Sequence, residues 1–529
     1  MAFLHLSWDI QHHNQKYAYR TQRINGYYVV TDVATNKTIV RLRIRDDYPG
    51  TFCVHEESGA IFCGYGPQKA GKDEEFLHLR LASDGSITIQ RDLLCTLALF
   101  YGYDGSTFTV SNNFHSAWDT LTKHTLDKAA LAEWLLPDLS WRRQTSCMEI
   151  HTLNELEKLN FRNGKLKLSP GPARTWMASR DAPPSNPHDF ISVLEKHADV
   201  TIERFGKYFD AAVFELSGGL DSSFLPLYIS QKHPGAVKRA SSMLLTGHFR
   251  ETQAEKLGAL DQRIHPEWFY VSFDDPACRP MQDAVTTRKF AVRNYWAPGF
   301  EELLEHYASQ LSAKGCRIIF TGDGGDELFD NMTDIEDSLG LGKAASERRL
   351  SESLTPFHTE IFRSAWRTAA LQAKFMNYPQ LAVNVHRALP LRNVFIEHGI
   401  WPISPFINKE LYYFCQGLPI RYRANKNIFR AYSQAKRLPA CIYNPRADEH
   451  PGNFLDELYL SGYYNELIDY FCTHGMVVNH FGYIDKNVLL KTLLGCFSGT
   501  LKAEERSKAI FLTHLWLQAE IGLTQFKET

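Results

Sequence analysis

The stretch Phe214-Glu215-Leu216-Ser217-Gly218-Gly219-Leu220-Asp221-Ser222-Ser223 decides the fold of the larger part of the chain. The apolar run at 211–216 predicts a buried parallel strand, which breaks at Ser217-Gly218-Gly219. Apolar spacing after Asp221 then predicts a helix. Glycines let backbone N–H groups approach an anion, and the N-terminus of a helix carries partial positive charge. The stretch therefore predicts an anion-binding loop between a strand and a helix.

The polar residues of this loop, called loop 217–223 below, add to the same site. Its serines bring hydroxyl donors, and its aspartate brings a carboxylate that suits a divalent cation. The pattern is not the Walker loop, which ends in Gly-Lys-Ser/Thr. It resembles the pyrophosphatase loop (PP-loop, SGGxDS) of enzymes that cleave ATP to AMP and pyrophosphate. The resemblance implies that the nucleotide is bound by Ser217, Gly218, Gly219, Leu220, Asp221, Ser222 and Ser223.

The composition is that of an ordinary globular protein. Of the 529 residues, 44% are hydrophobic and 22% are charged, and the length predicts two or three domains. The formal net charge of −2 gives no field that would favour nucleic acid or an anionic membrane. No run of about 18 apolar residues predicts a membrane span.

Ten cysteines are scattered along the chain without a Cys-x-x-Cys pair, which argues against a zinc or thioredoxin-like site. The short apolar segment from Met1 to Leu6 lacks the basic residues that precede the apolar core of a secretion signal. These features together predict a cytoplasmic protein with reduced cysteines.

Residues 1–176 form the first predicted domain, in which short strands alternate with turns. Asp104-Gly105 predicts a hairpin. The segments 91–94, 97–101 and 108–112, in this order, resemble the amidotransferase domain of asparagine synthetases. The resemblance implies an αββα fold of the class II glutamine amidotransferase type. The predicted strands are Tyr27–Val30, Thr38–Leu42, Gly59–Cys63, Ser86–Ile89, Leu97–Tyr103 and Thr107–Val110, and the predicted helix is Asp127–Leu135.

A departure from that family concerns its nucleophile. The family's glutaminase needs a cysteine immediately after the initiator Met, with the freed amine as base and the thiolate as nucleophile. This chain has Ala2, and Cys53 cannot supply a terminal amine. We therefore expect a degenerate amidotransferase domain without glutaminase activity. Its remaining role is structural, or it binds a partner along strand edges.

A Pro- and Ser-rich linker is predicted at 177–187, followed by a second domain at 188–529. A helix at 188–208 leads into loop 217–223, and strands then alternate with helices up to residue 321. This alternation predicts a doubly wound parallel sheet, in which ligands bind at the carboxyl ends of strands. One strand end carries Leu244 and Leu245, where the resemblance implies backbone contacts to adenine.

A second strand end is followed by Gly322-Asp323-Gly324-Gly325-Asp326, called the 322–326 turn below. Its glycines allow close approach to a ligand, and its acids offer oxygen ligands to a hard cation. The segment resembles the Ser/Thr-Gly-x-Gly-x-Asp-Glu motif of asparagine synthetases. The resemblance implies that Asp221 and Asp326 bind Mg²⁺ with ATP, that Gly322 and Gly324 line the nucleotide site, and that Asp323 lies near the reacting groups.

The last third continues the resemblance with one departure. Lys426 opens a segment similar to the family's Lys-x-Leu-Leu-Arg helix, and the resemblance implies that this lysine belongs to the catalytic site. Asparagine and β-lactam synthetases then carry Arg-x-Lys, whose Lys neutralises charge as the tetrahedral intermediate forms. Here Arg446 aligns with the Arg of that segment, but Asp448 occupies the position of its Lys. Arg446 either takes over the role or is a surface residue. From 452 onwards the sequence predicts a helical tail whose aromatic residues line a peptide cavity or form core.

The whole arrangement most resembles lasso peptide cyclases. The resemblance implies adenylation of an Asp or Glu side chain in a peptide and closure of a macrolactam by the peptide's own N-terminal amine. A leader-peptide protease and a leader-binding protein are the partners it implies. The alternatives are a β-lactam synthetase-type cyclase, an ammonia-dependent asparagine synthetase, and a pseudoenzyme scaffold that binds a partner. The retained Asp221 and Asp326 argue against the scaffold.

Overall fold

The computed structural model describes most of the chain, and the structural statements below concern these residues. They are 4–9, 19–24, 27–32, 38–43, 52–57, 60–65, 77–91, 99–135, 145–153, 157–170, 189–287, 301–325, 328, 354–372, 392–408, 411, 414–415, 418–444, 453–474 and 481–523.

The first part of the chain forms two antiparallel sheets. One has seven strands in the order β11-β9-β10-β1-β4-β3-β2, and the other has six in the order β13-β12-β8-β7-β6-β5. The strands are β1 (Leu4–Asp9), β2 (Tyr19–Ile24), β3 (Tyr27–Asp32), β4 (Thr38–Arg43), β5 (Phe52–Glu57), β6 (Ala60–Tyr65), β7 (Leu77–Ala82), β8 (Ile87–Arg91), β9 (Phe100–Tyr103), β10 (Thr107–Ser111), β11 (Ile150–Thr152), β12 (Glu157–Arg162) and β13 (Lys165–Pro170).

The predicted strands of this part are confirmed, with shifts of up to three residues at their ends. The hairpin at Asp104-Gly105 joins β9 and β10, and Asp104 N–H donates to the Thr107 carbonyl at 3.3 Å. The sequence did not predict the other strands, which are β1, β2, β5, β7, β11, β12 and β13. Of these, β1 lies inside its sheet between β10 and β4. Phe108 of one sheet stacks on Phe161 of the other with ring centroids 4.2 Å apart, so the two sheets share a core.

The second part contains the predicted parallel sheet. Its strands are β14 (Ala212–Glu215), β15 (Arg239–Leu244), β16 (Glu267–Ser272), β17 (Ile318–Phe320) and β18 (Trp401–Ile403), and every pairing is parallel. The order is β16-β15-β14-β17-β18, so the strand order reverses between β14 and β17. Ligands of doubly wound sheets bind at such a switch point. Loop 217–223 and the 322–326 turn both start there.

Helices pack on the sheets of both parts and form the tail. They are α1 (Phe114–Thr120), α2 (Lys128–Trp134), α3 (Phe190–Phe205), α4 (Leu220–Lys232), α5 (Gly247–Ile264), α6 (Gln282–Thr287), α7 (Glu301–Ala313), α8 (Glu360–Gln372), α9 (Ile420–Arg423), α10 (Asn427–Ala435), α11 (Ala440–Tyr443), α12 (Asn453–Leu460), α13 (Asn465–His474), α14 (Lys486–Phe497) and α15 (Ala503–Leu523). The helices predicted from periodicity are thereby confirmed. Among the helices that the structure describes, none is long and apolar enough to cross a membrane.

The aromatic residues of the tail are mostly core. Tyr464, Phe471, Tyr483 and Trp516 are each at most 4% exposed, while Phe497 is 41% exposed. Trp516 lies on α15 and contacts Phe471 of α13, with ring centroids 6.4 Å apart. Of the two interpretations drawn from the sequence, the buried members of this set support core packing.

The two parts of the chain are joined by direct hydrogen bonds. Asn393 Nδ2 donates to the Asn112 carbonyl at 2.7 Å, and Asn113 Nδ2 donates to Glu397 Oε1 at 2.6 Å. Asn393 and Glu397 both lie in a helical stretch at 392–397. The end of β10 therefore holds the helical stretch that begins with Arg392.

Candidate active site

Loop 217–223 has the strand–turn–helix geometry that the sequence predicted. Gly218 has a φ of +91°, a conformation that L side chains rarely adopt, and Gly219 is the N-cap of α4. Ser217 N–H donates to Ser222 Oγ at 3.1 Å, and Ser223 Oγ donates to the Gly219 carbonyl at 2.6 Å. Because the N-cap is a glycine, it has no side chain that could cover the positive end of α4, which begins within the loop.

Gln253 of α5 ties the loop to the neighbouring strand end. Its Nε2 donates to the Ser217 carbonyl at 3.3 Å and to the Met243 carbonyl at 2.9 Å. Its Oε1 accepts the Leu245 N–H at 2.8 Å. Leu244 ends β15, so the predicted adenine segment and the predicted phosphate loop are held together by one buried amide.

The 322–326 turn packs directly on the start of α4. A Cβ atom at Gly322 would lie 2.6 Å from Ser222 N, and one at Gly325 would lie 2.5 Å from Asp221 Oδ1. Gly324 has a φ of +88°. The close approach of α4 to Gly322 and Gly325 leaves no room for a side chain, which explains the glycines at these two positions. The structure thus brings together the two segments that the sequence placed about 100 residues apart.

Lys426 donates to Asp221 Oδ2 and forms an ion pair with it. Both side chains are largely buried, at 19% and 16% exposed. Asn425 and Lys426 both have left-handed backbone, with φ of +54° and +56°, at the turn before α10. Left-handed residues other than glycine cost of order 1–3 kcal/mol each and concentrate at functional sites. The strained turn therefore presents the predicted catalytic lysine to loop 217–223.

Asp323 lies beside a buried guanidinium group. Its Oδ2 accepts Thr321 Oγ1 at 2.9 Å and faces Arg392 Nε at 3.5 Å. The Arg392 side chain is 3% exposed, whereas that of Asp323 is 38% exposed. In the part of the chain that the structure describes, buried Arg392 Nη2 has no hydrogen-bond acceptor. The Asp323 carboxylate is therefore partly exposed to solvent, and the buried Arg392 guanidinium lies on its protein side.

Glu215 ends the central strand on the same edge of the sheet. The residue is only partly buried as a whole, but its carboxyl group is enclosed by protein atoms. Burial, together with the Asp323 carboxylate, raises the pKa of Glu215 to about 8. The Glu215 carboxyl group is therefore mostly protonated at neutral pH.

We expect Glu215→Gln to remove a pH dependence of stability. Because the folded pKa is raised, the folded state holds this proton more tightly, and the resulting stability is lost as pH rises from 4.5 through 8. The thermal midpoint of the variant, relative to that of the wild type, should therefore increase as pH rises from 4.5 to 8. Glu267→Gln, at an exposed residue of β16, is the control. An equal midpoint difference below 4.5 and above 8 would contradict the assignment.

These residues fit ATP and a divalent cation. The glycines of loop 217–223, the N-terminus of α4 and Lys426 suit the phosphates. Asp221 Oδ1 lies next to Gly325, the residue just before Asp326, which suits a cation bound by both aspartates. Asp326, Arg446 and Asp448 lie outside the described residues, as does Ala2, so their roles stay predictions. The nucleotide contacts of Leu220, Leu244, Leu245, Gly322 and Gly324 also stay predictions.

Sequence reasoning missed Gln253 and Arg392. A signal existed for Gln253, because it shares the apolar stripe of α5 with Leu257, Leu260 and Ile264 at helical spacing, and all four are buried. A polar residue within such a stripe predicts a buried hydrogen-bonding role. Arg392 has no comparable signal, since its partner Asp323 is 69 residues earlier in the chain.

The comparisons with known proteins agree with this geometry. The family model for asparagine synthase matches residues 211–518, which include loop 217–223, the 322–326 turn and Lys426. No curated protein matches the chain. The family match begins at the strand that leads into loop 217–223 and covers more than half of the chain. The protein therefore belongs to the asparagine synthase family of ATP-dependent, AMP-forming carbon–nitrogen ligases.

Proposed function

We propose that the protein adenylates an Asp or Glu side chain of a peptide and closes a macrolactam with the peptide's N-terminal amine, as in lasso peptide biosynthesis. AMP and pyrophosphate are the other products. The observation that carries this proposal is Asp448, which stands where asparagine and β-lactam synthetases have their lysine. An ordinary small-molecule member of the family would be expected to keep that cation.

Cys147 is the cysteine of the first domain whose surroundings the structure describes, and its chemistry fits an amine that comes with the substrate. Burial raises the pKa of Cys147 to about 12, so this thiol is almost never the nucleophilic thiolate. Its Sγ lies 3.4 Å from Glu149 Oε2, which adds negative charge beside it. Cys147 is thus unsuited to release ammonia from glutamine, and the peptide's own amine fills that role in the proposal.

In the proposed adenylation, the residues at the switch point bind and orient ATP. ATP supplies the adenylyl group, and Mg²⁺ draws charge from the phosphates when bound. Loop 217–223 and the N-terminus of α4 orient the phosphates. The ion pair of Lys426 with Asp221 places one positive and one negative charge at the edge of this loop. A bare carboxylate is a poor electrophile, so the activated acyl group is what the amine attacks.

Arg392 supports a carboxylate subsite beside Asp323. A buried guanidinium N–H without an acceptor is costly, and a carboxylate is the partner that its geometry favours. Asn393 and Glu397 tie this helical stretch to the first domain, which gives that domain a positioning role. Holding the reacting groups in place matters because the amine and the acyl group belong to one chain.

The test measures pyrophosphate release from ATP by the full-length protein in three arms. The arms contain a precursor peptide encoded beside the gene, aspartate with ammonium, or neither. We expect release to depend on the peptide, and the peptide to lose the mass of one water. Release that requires aspartate and ammonium would instead identify an asparagine synthetase and overturn the proposal. No pyrophosphate release in any arm would also overturn the proposal and would favour the scaffold alternative.

A further inference from the structure

Lys256 is a buried lysine on the helix face that packs against loop 217–223. It lies on α5, three residues after Gln253, whose side chain donates to the Ser217 carbonyl. Residues three apart in a helix lie on the same face. Lys256 is 4% exposed, although lysine is rarely buried to this extent without compensation for its charge.

The aliphatic stem of Lys256 lies directly against Gly218. A Cβ atom at Gly218 would stand 3.0 Å from Lys256 Cβ and 3.2 Å from Lys256 Cδ. The stem therefore occupies the space that a side chain in the loop would need. This contact, together with the φ of +91°, requires glycine at 218 and places the stem of the lysine beside the loop.

The ammonium end of Lys256 is within electrostatic range of α11. Burial raises the pKa of Cys441 on α11, the Glu255 carboxylate adds to the rise, and the Lys256 ammonium opposes it. The helix α11 packs against α5. Because the stem of Lys256 lies against Gly218 and its charge acts on Cys441 of α11, the ammonium group lies near loop 217–223.

We propose that Lys256 binds the pyrophosphate portion of ATP at loop 217–223 and stabilises pyrophosphate as it leaves. When the carboxylate attacks the α-phosphorus, an oxygen–phosphorus bond forms, and the bond to the leaving oxygen breaks with its electron pair on pyrophosphate. A nearby ammonium group offsets the charge that develops there. Walker loops carry such a lysine within the loop, whereas here a neighbouring helix supplies it. The proposal rests on the ligase activity and not on the identity of the peptide.

The experiment measures binding of inorganic pyrophosphate with Mg²⁺ to the full-length protein by calorimetry. We expect Lys256→Met to weaken binding at least about tenfold, and Lys256→Arg to stay within about threefold of the wild type, because arginine keeps the charge. Binding of adenosine, which has no phosphate, should be unchanged in both variants. Lys232→Met is the matched control, since Lys232 ends α4 and its exposed ion pair with Asp199 lies outside the loop.

Two results obtained with Lys256→Met would overturn the proposal. One is a Lys256→Met protein with the wild-type thermal midpoint and wild-type pyrophosphate affinity. The other is an equal loss of adenosine and pyrophosphate binding, which would show that Lys256 only supports the fold. If Lys256→Met does not fold, Lys256→Gln and Lys256→Arg are compared, and equal pyrophosphate affinities contradict the proposal. None of these outcomes depends on the peptide, so a failure here is distinct from a failure of macrolactam formation.

Discussion

Gly325→Ala is expected to reduce pyrophosphate release at least about a hundredfold. The added Cβ would lie 2.5 Å from Asp221 Oδ1 and 2.7 Å from Asp221 Cβ, which is closer than real atoms approach. Either the 322–326 turn or Asp221 must move, and a displacement of about 1 Å in a catalytic group costs about a hundredfold in rate. The assay is acceptor-dependent pyrophosphate release, compared with the thermal midpoint of the same variant.

Gly258→Ala is the matched control for this substitution. Gly258 lies within α5 and a Cβ atom there would meet nothing within 4 Å, so alanine should keep activity and favour the helix by about 1 kcal/mol. Wild-type turnover in Gly325→Ala would show that the 322–326 turn does not pack on Asp221 during the reaction.

Asp221→Asn is expected to reduce turnover at least about a thousandfold while the protein stays folded. The substitution removes a charge that pairs with Lys426 and is predicted to ligate Mg²⁺. Asparagine has nearly the same shape and still offers an acceptor to Lys426, so the loss in rate should exceed any loss in stability. The assay is pyrophosphate release over a series of Mg²⁺ concentrations.

Asp210→Ala is the control for a lost carboxylate. Asp210 pairs with Lys238 at 2.6 Å, but its side chain is 83% exposed, and such surface pairs contribute little to stability. We expect its turnover to match the wild type. Full activity of Asp221→Asn would remove both the metal assignment and the catalytic pairing with Lys426.

The sequence predicted those parts of the site whose signals are local. Loop 217–223 follows an apolar strand and contains its own glycines, so its geometry is encoded within about ten residues. The meeting of this loop with the 322–326 turn was also predictable, because carboxyl ends of parallel strands share one edge of a sheet. The contact of Gly325 with Asp221 confirms that expectation.

The parts that escaped prediction depend on tertiary contacts. Arg392 meets Asp323 across 69 positions of sequence, and nothing in the residues around it specifies that partner. The ion pair of Lys426 with Asp221 joins residues 205 positions apart. β18 is three residues long and escaped prediction because its length gives no periodicity to detect.

The most direct test of the central claim follows oxygen from the acceptor carboxylate during catalysis by the full-length enzyme. The acceptor is the carboxylate substrate that supports pyrophosphate release, labelled with ¹⁸O in the reacting carboxyl group. Attack on the α-phosphorus transfers one labelled oxygen to the nucleotide when the amide forms, so mass spectrometry should find a single ¹⁸O in AMP. Label in inorganic phosphate, with ADP as the nucleotide product, would contradict the account, because it would place the attack at the γ-phosphorus.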